Sequence, residues 1–501
     1  MTAPPFSARG DGVNDDTDAV QRAIRAAISR GLRGGGAVLR VPAGTYRISG
    51  QLKLADDVGH PANGLALVGD GPASFLAFDH KMADGHGDAL HGDDARDVVI
   101  RDLRIGALPG GVGFNRGLVF HGGSHLVLRD LDVSGAWLTK WEGQPLGYPS
   151  GIFLDGGITD VRLLDNELHD IGGDDGNSWQ IVVYGTGGAS DVHIHGNRCS
   201  TGPGAAHRAN FGIAIYDSSY VTIDGNEVDG VAGTARDADG YGIMLYGTAR
   251  GLSHNHAVYG NVIRHTGGAG IYVQDSPYTT VTGNVLEDTA RTQSSTSLAI
   301  AAIGFNVGPG SISGNVIRGV GIGTPARVPP FGIAIQTCSA QASCASSDGA
   351  PRGISVSNNT VEDTAGYGIA IEAGPFTAGD DSTIVGNALI NTHGGIGTVG
   401  DAPVTGLVIV GNSIVRGPRA DSDSAPGIFL GSVSGAVVAS NVVAGARGQG
   451  IVLHHAASRN IVTGNVVRDF GRASPGAYPA IQVSGEDNLV IGNQTYVGGP
   501  P

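Results

Sequence analysis

Carboxylates and aromatic side chains recur at matching points of a repeated phrase. The residues flanking the outer positions of short aliphatic runs form one series: Asp155, Tyr184, Tyr216 with Asp217, Tyr246, Asp275, Gln336 and Glu372. Just ahead of those runs stand Lys140, Trp141, Glu142 and Tyr148, then Asp174, Asp175 and Trp179, then His207 and Arg208, then Asp237 and Asp239. Carboxylates gathered this way suit glycoside hydrolysis, which needs one carboxyl protonated as acid and one ionised as base or nucleophile. Neighbouring aspartates such as Asp174 and Asp175 would repel each other when charged and so favour one protonated acid, with Asp155 as the partner carboxylate. The stretch "GGDDGN" around them also has the composition of an ordinary polar turn. Tyr184, Tyr216 and Tyr246 are expected on neighbouring coils as a strip of aromatic faces about 10 Å long. Sugar C–H faces pack well on such rings, although tyrosine also fills strands for no other reason.

A second chemistry uses other residues. Elimination or C5-epimerisation of a uronate needs a base near C5 and a cation or proton source for the carboxylate. Lys140, Tyr148, His207 and Arg208 are the candidates. In so acidic a chain a bound Ca2+ could compensate for missing positive charge; otherwise no cofactor and no metal ligand set is expected. A third reading is a non-catalytic, tailspike-like glycan-binding fibre.

Any of these needs residues far apart in the chain to become neighbours, and the repeat supplies the means. One phrase, a β-branched pair followed by Gly-Asn and two apolar residues, recurs from "RLLDNEL" (Asn166) and "VHIHGNRC" (Asn197) through "TVTGNVL" (Asn284) and "VIVGNSI" (Asn412) to "LVIGNQT" (Asn493). Its spacing runs from 23 residues (Asn261 to Asn284) to 44 (Asn315 to Asn359). A second phrase precedes each copy, as in "GIFLD", "FGIAIY" and "GIVLHH". Alternation within each phrase puts every second residue on one face. Strands this short are unstable alone, so equivalent strands of successive coils must stack in parallel at ~4.8 Å. The expected fold is all-β: a single right-handed parallel β-helix of about a dozen coils. Asparagines at the corners would adopt left-handed φ and hydrogen-bond along the stack. Glycine, 85 of 501 residues without a G-X-Y period, fits such turns and excludes collagen.

The N-terminus breaks the pattern. In "DGVNDDTDAVQRAIRAAISRG", Ala19, Val20, Ala23, Ile24, Ala27 and Ile28 have helical spacing, with Asp15, Asp16 or Thr17 to cap the helix and Gly31 to end it. One amphipathic helix ahead of a strand stack reads as a lid on the open end of the core. Residues 1–50 are therefore expected to hold this α-helical cap and the first coil, and residues 51–501 the rest as one domain.

The stretch "FSARGDGVNDDTDAVQRAIRAAISRG…GGGAVLRVPAGTYRIS" closely resembles the N-terminal signature of the pectate-lyase-like superfamily. That group includes polygalacturonase-type hydrolases, polysaccharide lyases, C5-epimerases and phage tailspikes. The resemblance implies a β-helix that acts on a poly- or oligosaccharide. It also implies a polygalacturonase-like arrangement, with Asp155 at an acidic strand end, Asp174 and Asp175 one coil later and His207 a further coil on. That family's Asn-Thr-Asp, Gly-His-Gly and Arg-Ile-Lys motifs are not intact here. Asp155, Asp174, Asp175 and His207 are thus the expected catalytic set. Lys140, Tyr148, Trp179, Tyr184, Arg208, Tyr216, Asp217, Asp239 and Tyr246 are the expected substrate contacts.

Charge and composition set further bounds. A net charge of −15 argues against a nucleic-acid partner. No stretch reaches the ~18 apolar residues of a membrane span, and no leader opens the chain, so an extracellular or periplasmic protein with its signal removed is expected. Monomer and homotrimer both fit. Cys338 and Cys344 are close enough in sequence to close a local disulfide. The pairs His254 with His256 and His454 with His455 are expected at solvated corners.

Overall fold

The computed structural model describes residues 1–79, 87–137, 139–141, 144–173, 177–201, 207–231, 240–248, 253–291, 301–306, 308–322, 330–336, 352–372, 379–400, 402–416 and 424–497. Asp174, Asp175, Asp239, Cys338 and Cys344 lie outside them. The chain divides into two compact units, Met1–Thr248 and Ala249–Pro501.

Each unit is a stack of coils built from short parallel strands. In the first, Leu52–Lys53, Asp88–Asp93, Arg116–His121, Ser150–Asp155, Trp179–Tyr184, Phe211–Tyr216 and Tyr241–Tyr246 lie side by side in one sheet. Register is kept from coil to coil, so Leu52, Leu90, Leu118, Ile152, Ile181, Ile213 and Ile243 form one buried file. In the second unit, Ile271, Ile303, Ile333, Ile369, Ile396, Ile428 and Ile451 form a corresponding file. The recurring Gly-Ile of the second phrase has a steric cause. A Cβ on Gly151 would stand 2.7 Å from the Gln180 carbonyl and equally near Ile171 and Leu168, and one on Gly212 2.6 Å from the Gly242 carbonyl. Both glycines turn inward beside the isoleucine where the next coil passes too close for a side chain.

The asparagine phrases stack as files. Within Met1–Thr248, Asn166 donates through Nδ2 to Oδ1 of Asn197, and Asn197 to Asn226, at 2.8 and 2.9 Å. Within the second unit, the chain of such bonds runs from Asn261 through Asn284, Asn315, Asn359, Asn387, Asn412, Asn441 and Asn465 to Asn493, at 2.9–3.0 Å. These asparagines are not the left-handed residues. The preceding residue takes positive φ: glycine at most corners, and Asp165 (53°), Asn358 (55°) or Ser440 (54°) where glycine is missing. The asparagine is thereby free to turn inward and serve the backbone.

The helix spans Thr17–Arg30 and buries Val20, Gln21, Ala23, Ile24, Ala27 and Ile28. Its inward Gln21 acts like a strand: Nε2 donates to the Lys53 carbonyl (2.9 Å) and Oε1 accepts from the Lys53 N–H (2.8 Å). The backbone of Leu52–Lys53, the first strand of that sheet, is thus paired by a side chain, which is how the cap blunts the edge. Asp16 stands at the N-cap position but spends its carboxylate on the N–H groups of Arg9 and Gly10, and Asp15 accepts from Thr17 N. Gly31 does not end the helix in a left-handed turn. Its φ is −59°, a wide turn continues over Gly31–Gly35, and Gly36 takes φ +59°.

One histidine expectation needs correction, that for His254 and His256. His256 is buried, accepts or donates at 3.0 Å to Ser253 Oγ, and is pushed down to about 3 by burial, so it is a neutral core residue. Its partner in sequence, His254, is half-buried, while His454 and His455 are exposed and touch each other.

Candidate functional site

Outward positions of the sheet in Met1–Thr248 build the site. The register brings Asp93, His121, Asp155, Tyr184, Tyr216 and Tyr246 into one file. A second file holds Asp88, Arg116, Ser150, Trp179, Phe211 and Tyr241, and a third holds Lys53, His91, Val119 and Phe153. Two cavities open along these files and share Arg116.

The first cavity, about 380 Å³, is lined by Arg116, Tyr148, Phe153, Asp155, Asn177, Trp179, Tyr184, Thr186 and Tyr216. At its centre Asp155 Oδ1 accepts from Thr186 Oγ1 and from Gly156 N, both at 2.6 Å. Its Oδ2 faces His121 Nδ1 at 3.4 Å. His121 packs edge-on to Phe153, and its Nε2 has no protein partner among the described residues. A carboxylate that orients one imidazole nitrogen leaves the other available for proton transfer. Tyr184 stands on the opposite side of Asp155, two ~4.8 Å strand steps from His121. Burial, and then the negative charges of Asp217 and Asp155, hold the Tyr184 hydroxyl above the usual phenol range, so it stays protonated and able to donate. Asn177 adds a buried Oδ1 with no hydrogen-bond partner among the described residues, an acceptor a ligand hydroxyl would satisfy.

The tyrosine strip is continuous: ring centroids are 4.8 Å apart from Tyr184 to Tyr216 and 5.8 Å from Tyr216 to Tyr246. Trp179 is not an open platform. It is 4% exposed, stacks on Phe211, meets Tyr148 edge-on at 5.6 Å and donates to the Tyr216 hydroxyl at 3.3 Å; Phe211 and Tyr216 are themselves buried, so the ring it props toward solvent is Tyr148. Tyr148, 51% exposed, is the accessible aromatic edge. Replacing Tyr148 with Ala is expected to weaken binding of a glycan about 10-fold, because it removes exposed aromatic contact area while leaving Asp155 and His121 in place.

Other expected residues fall elsewhere. His207 stacks on Trp137 at 4.7 Å, Arg208 is exposed beside it and Lys140 is exposed on a two-residue strand; none of them lines the cavity. Asp217 is buried and accepts from Thr248 N at 2.6 Å and from its hydroxyl, so its role is to hold a turn and bias Tyr184 electrostatically. The residues that sequence reasoning passed over are Arg116 and His121. Their signal was present, since "LVFHGG" is the phrase "IFLDGG" with His in place of Asp.

The second cavity, about 460 Å³, holds Lys53, Asp88, His91, Asp93, Arg116 and His121 among its lining. Arg116 is forked onto Asp88 at 2.7 and 3.1 Å and lies over the Phe153 ring at 4.7 Å. His91 bridges Asp88 (2.9 Å) and Asp93 (3.1 Å). The bond to Asp88, aided by that to Asp93, lifts the His91 imidazole above 6.5 against the opposing effect of burial. A group raised in the folded state stabilises fully below its unfolded value and loses that contribution as pH climbs through the folded value. Replacing His91 with Gln is therefore expected to lower the thermal midpoint most below pH ~6.5 and least at alkaline pH, which melts of both proteins across pH would check.

Comparison with known proteins agrees on the architecture. Residues 116–303 match the model of a right handed beta helix region, residues 4–87 that of rhamnogalacturonase A/epimerase, pectate lyase-like, and residues 350–496 that of the periplasmic copper-binding protein NosD. Alginate lyase 7 of Azotobacter vinelandii is 35% identical over 107 residues, 20% of this chain and 12% of that one. A mannuronan C5-epimerase of the same organism is 40% identical over 80 residues, 16% and 5% of the two chains. The chain thus spans only a small part of these relatives. A mutant tailspike protein of E. coli bacteriophage HK620, solved in complex with a pentasaccharide, superposes with a TM-score of 0.50 at 11% identity, covering 96% of this chain and 77% of that one, a likeness of fold. Together with the stacked files of Leu/Ile and Asn, these matches identify the chain as a right-handed parallel β-helix of the pectate lyase-like superfamily.

Proposed function

We propose that the chain is a carbohydrate-active enzyme that removes the C5 proton of a uronic acid in a poly- or oligosaccharide, by elimination or epimerisation. The observation that carries this reading is the file His121–Asp155–Tyr184, with an oriented imidazole on one side of the carboxylate and a protonated phenol on the other. His121 Nε2 takes the C5 proton, and Asp155 stabilises the imidazolium that forms. Tyr184 donates to the leaving O4 in elimination, or to the opposite face of C5 in epimerisation. In the second cavity the exposed Lys53 is the positive group offered to a uronate carboxylate, Arg116 and His91 there being held on Asp88 and Asp93. The partial likeness to an alginate lyase and a mannuronan C5-epimerase supports the same substrate class. Such a substrate, and the likeness to a periplasmic family over residues 350–496, favour an extracytoplasmic site of action. Among the described residues no helix is long and apolar enough to cross a membrane.

Hydrolysis is the second reading. Asp155 lines the cavity, as does Asn177, which closely follows Asp174 and Asp175 in the chain. A second carboxyl from that pair would complete the two-carboxylate set. Incubation with a panel of uronic and neutral polysaccharides separates the two. An unsaturated uronate product or a changed uronate epimer supports proton abstraction; new reducing ends without either support hydrolysis and overturn the first reading.

A further inference from the structure

A cluster that the trench chemistry does not use lies on a different sheet of the same unit. His193 and His195 are two apart on the strand Ser190–His195, so both side chains leave the same face. The next coil's strand, Ser219–Asp224, pairs in register and sets Asp224 directly beside His195 and Thr222 beside His193. Asp224 Oδ1 lies 2.6 Å from His193 Nε2, and Oδ2 lies 2.7 Å from His195 Nδ1. One ligand atom from each of the three residues falls within 4.8 Å of the others.

We propose that His193, His195 and Asp224 form a binding site for a divalent transition cation of the zinc class, joining two successive coils. Two imidazoles and one carboxylate are a donor set that suits zinc and its first-row neighbours, and disfavours calcium and magnesium. Three protein ligands leave a coordination position open to water. Tetrahedral ligation at zinc places donor atoms about 3.3 Å apart, so the cluster reaches it by small side-chain rotations.

The backbone beneath the cluster is held as at the other asparagine corners. Asn197 Nδ2 donates to the His195 carbonyl and Asn226 Nδ2 to the Asp224 carbonyl, both at 3.1 Å, so the buried asparagine file fixes two of the three ligand-bearing residues. Gly196 N also donates to the Asp224 carbonyl at 3.1 Å, tying the two coils at this point. The carboxylate is largely shielded, with its side chain 11% exposed, while the imidazoles are 34% and 47% exposed, an arrangement with a firm base and an open top. Arg162, the neighbour of His193 on the preceding coil, is drawn away onto Asp160 at 3.0 Å and does not neutralise the cluster. The sequence "VHIHGN" carries the ligands, but the aspartate comes from the next coil and has no fixed offset to search for.

The test is calorimetric titration of the chelator-treated full chain with ZnCl2, and Co2+ absorption as a spectroscopic readout. One equivalent of Zn2+ is expected to bind and to raise the thermal midpoint. Loss of an outer-sphere partner already costs 10–100-fold in such sites, so His195→Ala and His193→Ala should each weaken binding by more than ~100-fold. Asp224→Asn, which keeps the side-chain size, should weaken it at least ~10-fold and serves where an alanine variant fails to fold. His454→Ala with His455→Ala should leave the site unchanged. Failure of the wild-type chain to bind one equivalent would overturn the assignment. So would a stoichiometric site that survives His193→Ala with His195→Ala, or one that disappears with the His454 and His455 pair.

Discussion

His121→Ala is expected to reduce turnover on a uronate polymer by at least ~10²-fold while leaving the Michaelis constant and the fold nearly unchanged. Among the described residues the ring is held by the Asp155 contact and by packing against His91 and Phe153, and it is half-buried, so little stability depends on it. Asp155→Asn should lower turnover for a different reason. The amide can still accept from Thr186 and Gly156, but it cannot stabilise an imidazolium, and it can present N–H rather than oxygen to His121. Tyr184→Phe keeps the ring ladder and removes the proton donor, so it should lower turnover with binding retained. A hydrolase built on the aspartates would respond otherwise: Asp174→Asn with Asp175→Asn would abolish activity, and His121→Ala would spare it.

The largest stability effect is expected at the middle of the asparagine file in the second unit. Asn412→Ala leaves the Asn387 N–H and Nδ2 without their acceptor at once, and strips the Ile384 and Val410 carbonyls and Asn441 Oδ1 of a donor. Most of these groups are buried, and an unpaired buried polar group costs ~1–3 kcal/mol. Partial relaxation of the corner brings the expected total to about 3–5 kcal/mol, read as a lower denaturant midpoint in the variant. An equally buried apolar truncation such as Val438→Ala should cost less, because it opens a small cavity and orphans nothing.

The architecture was legible in the sequence because it is written many times over. From about residue 150 onward the aliphatic and asparagine phrases recur coil after coil, so an error in reading one copy is corrected by the next. The details that failed are those in which two neighbours share one task. At the corner, glycine takes the left-handed backbone and asparagine the hydrogen bonds, and a reading by residue type gave both duties to asparagine. At the helix end, Gly31 remains helical because the wide turn carries the chain on to Gly36. The site was half legible. Asp155, Tyr184, Tyr216 and Tyr246 share one strand position and were grouped by counting from the repeat. His121 and Arg116 belong to earlier coils, where the asparagine phrase is absent and the register is harder to set. His207 and Arg208 were placed by order along the chain, but the loop that precedes Phe211–Tyr216 carries His207 onto Trp137 instead. Loop paths of variable length are the one feature a repeat does not encode.

Proton NMR of a polymannuronate or polygalacturonate substrate incubated with the protein in D2O tests the central claim most directly. Both elimination and epimerisation consume the C5 proton, so its signal should fade with the wild-type chain and persist with His121→Ala. An unchanged C5 signal on every uronate tried, alongside new reducing ends from a neutral glycan, would contradict it.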